Sequence, residues 1–184
     1  MSDALGDYDE CLTLRRQLVA DGRNELLPDL AMVLMNRART LKSLGRLSDA
    51  LGDEDECLTL CRQLVADGRN ELLPDLAMVL MNRANTLHSL GRLSDALGDY
   101  DESLTLRRQL VADGRNELLP DLAMVLMNRA NTLQLLGRLS DALGDYDEAL
   151  VLHRQLVADG RNDLLPDLAM VLLNRANALD SWVG

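Results

Sequence analysis

The sequence predicts an all-α solenoid of four helical hairpins, eight antiparallel helices in a single repeat domain over residues 1–184, and three observations predict it. The run Ser-Asp-Ala-Leu-Gly-Asp opens at Ser2, Ser48, Ser94 and Ser140, so one motif returns every 46 residues and four copies fill the 184-residue chain. A fixed period of about 20–50 residues marks supersecondary units that bury a core only by stacking on their neighbours. Each copy is then broken by glycine into two segments in which apolar residues recur at three- and four-residue steps, with no strand-length alternation anywhere. Finally, 47% of the residues are apolar but only 2% aromatic, so the core is built from Leu, Val, Met and Ala, which suits helix-on-helix packing. The repeat units fall at 2–47, 48–93, 94–139 and 140–184.

In each unit the first helix carries the serine. In the third copy it runs from about Ser94 to Asp113, with Ser94 as N-cap and Ala96, Leu97, Tyr100, Leu104 and Leu110 along its apolar side. Gly114 stops it. Gly6, Gly52, Gly98 and Gly144 lie inside this helix, where each costs about 1 kcal/mol relative to Ala. A close approach of a neighbouring helix is the role that would justify them.

The second helix carries the most nearly invariant stretch. In the second copy Leu73, Leu76, Ala77, Leu80, Ala84, Leu87 and Leu90 form one apolar stripe, and Gly91 supplies a left-handed stop. Pro28, Pro74, Pro120 and Pro166 mark its first turn, with Asn70 and its counterparts four residues earlier as the alternative start. Connections of three to six residues force successive helices to pack side by side and antiparallel.

Charge and cysteine usage narrow the function classes. A net charge of −11 argues against nucleic acid, whose phosphates need a basic surface, and favours a cationic or neutral ligand. No apolar run follows Met1 and none reaches about 18 residues, so no signal peptide and no membrane span are expected, and the default location is cytoplasmic. Cys11 and Cys57 share their repeat position with Ser103 and Ala149, which reads as a slot for a small side chain. Cys57 and Cys61 lie one helical turn apart, yet two thiols without further ligands make a poor zinc site, so neither metal nor cofactor is expected. Only His88 and His153 could act as near-neutral bases. They sit on different helices, no nucleophile recurs beside either, and no glycine loop could cradle phosphate, so the chain does not read as an enzyme.

The spacing of Ala84, Leu87, Gly91, Ala96 and Tyr100, together with Asn82-Arg83 and Asp99-Tyr100-Asp101-Glu102, resembles the tetratricopeptide repeat family. The resemblance covers the whole chain, in a long-helix form like that of kinesin light chains, since the period of 46 exceeds the usual 34. It implies a right-handed solenoid and an interaction scaffold for protein or peptide. It departs from the family where Arg37, Arg83, Arg129 and Arg175 replace a frequent Leu, and where Glu54 replaces the aromatic found at Tyr8, Tyr100 and Tyr146. The arginines suggest structural pairs at a constant separation: Arg37 with Asp53, Arg83 with Asp99, Arg129 with Asp145.

The resemblance further implies that the Pro-Asp-Leu-Ala helices line a concave groove. Its lining would comprise Met78, Met81, Asn82, Asn85 and His88 of the second copy with their counterparts Asn36, Arg39, Lys42, Asn128, Asn131, Gln134, Asn174 and Asn177. The asparagines Asn36, Asn82, Asn128 and Asn174 would form a ladder that holds an extended peptide backbone, because an amide both donates and accepts. The alternative is that they bond neighbouring helices to each other. A different reading of the whole is a self-assembling module joined end to end, in which Asp7 lacks an Arg, Arg175 lacks an Asp, and the helix ending near Trp182 docks on the first helix of another copy.

Overall fold

The computed structural model describes residues 2–183, with side chains from residue 4 to residue 182. Among these residues lie eight α-helices and no strand: α1 (Ser2–Ala20), α2 (Leu27–Ser43), α3 (Leu47–Ala66), α4 (Leu73–Ser89), α5 (Leu93–Ala112), α6 (Leu119–Leu135), α7 (Leu139–Ala158) and α8 (Leu165–Val183). They divide into two units, Met1–Gly91 with α1 to α4 and Arg92–Gly184 with α5 to α8. In the first unit α2 packs on α1 and most extensively on α3, and α4 packs on α3. In the second, α6 packs on α5 and α7, and α8 lies on α7 with an edge on α6. Each unit is therefore two antiparallel hairpins.

The predicted stripes are the core. Leu76, Ala77, Leu80, Ala84 and Leu87 of α4 are all buried, as are Ala96, Leu97, Tyr100, Leu104 and Leu110 of α5. The small-residue slot is inside as well, with Cys57, Ser103 and Ala149 at most 1% exposed.

Helix starts differ from expectation. Ser94 is not the N-cap, because α5 begins at Leu93 and Arg92 occupies the cap position without a side-chain cap bond. Instead the Arg92 guanidinium reaches Asp95 at 2.7 Å, so the first-turn carboxylate that favours the positive helix end is held by a salt bridge. The open boundary before each proline is settled in two steps. Asn70–Leu72 forms a 3-10 turn, and α4 begins at Leu73 with Pro74 in its first turn.

Gly45 shows how the helices stop. At φ 73° its N–H donates to Lys42 O at 2.9 Å while the Arg46 N–H returns to Leu41 O at 2.9 Å, which closes α2. The helix-interior glycines do not serve a close approach. A Cβ built on Gly52, Gly98 or Gly144 meets nothing within 4 Å, and all three face solvent.

Candidate functional site

The exposed side of α2 and α4 forms the most featured surface of the first unit. Met32 and Met78 project from it at 54% and 40% exposure, and Asn36 and Asn82 lie one turn further along their helices. The side-chain amides of Asn36 and Asn82 bond no described residue, although their backbone carbonyls accept from Thr40 and Thr86. Behind this face a cavity of about 330 Å³ opens toward α3, lined by Met32, Met35, Asn36, Arg39, Met78 and Asp75, with Cys57 and Cys61 among its remaining walls. Not every expected lining residue is available. Met81 is only 8% exposed and belongs to the core, because the turn of about 60° that separates it from Met78 on the helix surface carries it under the neighbouring helices.

Lys42 is committed internally. Its ammonium lies 2.8 Å from Glu54 Oε1, and Glu54 is fully buried in the place where other copies carry tyrosine. Burial pushes the Glu54 carboxyl above its ordinary value, opposed by hydrogen bonds from Lys42 and Thr86. The repeat thus replaces an aromatic plug by a partly compensated buried charge.

In the second unit the corresponding face lies on α6 and α8. Tyr146 Oη is 2.5 Å from Asn131 Oδ1 and 3.1 Å from Gln134 Oε1, and its one proton can serve only one of them at a time. Burial pushes its phenol up to about 12. Asn174 Nδ2 donates to the same Asn131 oxygen at 3.2 Å. Asn131, Gln134 and Asn174 therefore bond their own neighbours, while Asn177 is exposed, and Asn85, His88 and Asn128 each engage another residue.

The arginines lie beneath these faces. Arg37 sits 2.8 Å from Asp53, and Arg129 Nη1 spans both oxygens of Asp145 at 2.8–2.9 Å. Each also meets a second carboxylate on the preceding helix: Arg37 Nε lies 2.9 Å from Asp9 of α1, and Arg129 Nε 2.5 Å from Asp101 of α5. Both are close charge contacts without hydrogen-bond alignment, since neither Nε finds an acceptor in line. Arg83 and Arg175 bond the equivalent Asp55 and Asp147 at 2.5 Å. Arg175 accordingly does not lack an Asp. Asp7 is exposed and lines a shallow hollow with Glu10, Leu14 and Leu18. Arg83 and Asp99 belong to different units, and their pairing stays an expectation.

Metal chemistry finds little to use. No group of three or more His, Cys, Asp or Glu that could hold an ion occurs among the described residues. His153 is 2% exposed with neither ring nitrogen hydrogen-bonded, and burial lowers its pKa, so it is neutral at pH 7. No described helix is long and apolar enough to cross a membrane.

The family model described as "Tetratricopeptide repeat" matches residues 30–68, 76–114 and 122–161, more than half of the chain. The chain belongs to the tetratricopeptide repeat family. Each tetratricopeptide match takes a Pro-Asp-Leu-Ala helix followed by a serine helix, one helix later than units opened at the serines. Among solved structures, BtubC (BKLC) from P. vanneervenii superposes with a TM-score of 0.71 at 19% identity over 95% of this chain and 66% of that one. A kinesin-light-chain-like protein of Podosopora anserina with nearly identical TPR-like repeats follows at 0.65 and 16% identity, over 95% and 78%. The first TPR of Spaghetti (RPAP3), bound to the HSP90 peptide SRMEEVD, matches at 0.50 and 18% identity over 79% and 93%. At such identities the likeness is one of fold. Among curated proteins, none matches the sequence.

Tetratricopeptide spacing also carried a signal that the expected pairs left unused. Each serine helix has two aspartates two residues apart, as at Asp53 and Asp55. In α3 the first serves Arg37 of α2 and the second Arg83 of α4.

Proposed function

We propose that this protein is an interaction scaffold that holds an extended peptide segment of a partner against the α2 and α4 face. The observation that carries the reading is the pair of unengaged amides at Asn36 and Asn82, set beside the exposed thioethers of Met32 and Met78. Amides offer donor and acceptor to a peptide backbone, and methionine adapts to varied apolar side chains. A tetratricopeptide neighbour solved with a bound peptide supports a peptide as the partner. The ladder is confined to these rungs in the first unit, because Asn174 already donates to Asn131.

The test is a peptide selected from a displayed random library on the intact chain. Replacing Asn36 and Asn82 together by Ala should weaken its binding by about ten-fold or more, at roughly 1 kcal/mol per lost hydrogen bond, with no change in melting temperature. Equal affinity of the double variant would remove the face from consideration.

One observation favours a second reading, self-association. Leu165, Leu172 and Leu179 recur at seven-residue steps along one side of α8 and are 48%, 43% and 37% exposed, an apolar strip of the kind that a second copy covers.

A further inference from the structure

Position 15 of the chain and its counterparts at 61, 107 and 153 hold Arg, Cys, Arg and His. All four look from a serine helix toward the aspartate in the first turn of the Pro-Asp-Leu-Ala helix that follows. Arg15 reaches Asp29 at 2.8 Å, and Arg107, only 2% exposed, reaches Asp121 at 2.9 Å. His153 is as deeply buried and feels the charge of Asp167. In the second copy the side chain is the short Cys61, and the space that a long side chain would take is part of the cavity of about 330 Å³ between α2, α3 and α4. Asp75 stands on its rim, and no described cation pairs with it.

We infer that this cavity is a receptor slot for an arginine side chain of the bound partner, whose guanidinium pairs with Asp75 as Arg107 pairs with Asp121 and Arg15 with Asp29. The chain itself supplies the template for the occupant's chemistry. A planar fork on an alkyl stem suits both parts of the slot, since Cys57, Cys61, Leu64 and Val79 present an apolar wall for the stem and the carboxylate waits at the mouth. Of the two thiols, the deeper Cys57 adds no charge of its own to this wall, whereas its hydrogen bond holds Cys61 below its ordinary value. A hydrogen bond with Cys61 and burial push the Cys57 thiol far above its ordinary value. Asp29, the other acid of the lining, is already occupied by Arg15. Arg39, the like charge in the lining, lies ten residues along α2 from Asp29, about 15 Å away at the opposite end. The net charge of −11 draws a cationic side chain toward the site.

The slot rests on the scaffold reading and adds a specificity to it, and its test needs no peptide ligand. The intact protein, with 13C-labelled methionine methyls, is titrated with N-acetyl-arginine methylamide and with its neutral isostere N-acetyl-citrulline methylamide. The arginine probe should shift the Met32, Met35 and Met78 methyls saturably, with a midpoint on the order of a millimolar. The citrulline probe should bind at least about ten-fold more weakly, as should the arginine probe to Asp75→Asn. Cys61→Arg should abolish the response, because the chain then fills its own slot. Equal response to both probes, an unaffected Asp75→Asn or a shift that never saturates would each overturn the assignment, and so would full binding to a folded Cys61→Arg. Should Cys61→Arg fail to fold, the citrulline control and the exposed Asp75→Asn change decide. Loss of the slot with the Asn36 and Asn82 effect intact would refute the slot alone, and the reverse result would refute the amide rungs alone.

Discussion

A guanidinium held between two carboxylates is worth most where one of them is dry. Asp145 is 8% exposed and its pKa lies above the ordinary carboxylate value, because burial outweighs the attraction of Arg129. The native state thus holds that proton more tightly than the unfolded chain. Its contribution to stability is full below the unfolded value of about 3.9 and is lost as pH rises through the folded value. Arg129→Ala removes the attraction and strands the buried charge at neutral pH, which should cost about 2–3 kcal/mol. Arg175→Ala, which loses only the exposed Asp147, should cost less than about 1 kcal/mol. Urea denaturation at pH 7.5 and pH 5 checks both magnitude and sign, since the Arg129→Ala deficit must shrink on acidification. Equal costs for the two variants would show that the Asp145 site is wet. Only part of this was legible in the sequence. The constant 16-residue spacing pointed to Asp53 and Asp145, whereas Asp55, Asp101 and Asp147 went unread because one acid per arginine already satisfied the charge count. Lys42 is hidden from sequence reasoning in a similar way, since a Glu in the aromatic's place gives no sign of being the partner of a cation twelve residues before it.

Within a helix, periodicity determines which face is buried but not what a neighbour leaves uncovered. The stripes of α4 and α5 were readable because every third or fourth residue is apolar over the full helix. Met78 and Met81 look alike in the same stretch, and only the position of the adjoining helices separates the exposed one from the buried one. Glycine at 52, 98 and 144 posed the same difficulty. A helix interior makes glycine costly, so a hidden contact was expected, yet the structure leaves open space at all three. Without a contact to lose, alanine should gain what propensity gives. Gly52→Ala, Gly98→Ala and Gly144→Ala should each stabilise by about 0.5–1 kcal/mol, because the backbone φ values are already helical and the unfolded chain loses freedom. Melting curves of the single and triple variants test it, with additivity expected because the three positions share no contact. A loss of stability in any single variant would mean that something packs on that position in solution.

At the scale of the molecule, near-identical helices meet different surroundings. Leu126 and Leu133 of α6 are fully buried, whereas Leu172 and Leu179 at the same repeat positions of α8 are 43% and 37% exposed. The sequence could anticipate an uncovered face here, but it also matched Arg175 with the Asp7 of another copy. That charge argument fails because Arg175 already holds Asp147, so any self-association through α8 must be carried by apolar burial. At about 25 cal/mol per Å², covering several leucines and Trp182 would supply enough free energy for micromolar association only if shape complementarity is good. Light scattering across a concentration series should then show the mass rising with concentration. Leu172→Glu combined with Leu179→Lys should hold the protein monomeric with its helical content unchanged, because both positions face solvent in the single chain. High salt discriminates the driving force, since association through apolar surface persists or strengthens while a charge-matched contact weakens. A constant monomer mass at high micromolar concentration in the unaltered protein would leave the α8 face without a second copy to cover it, and the α2 and α4 face as the one proposed site of interaction.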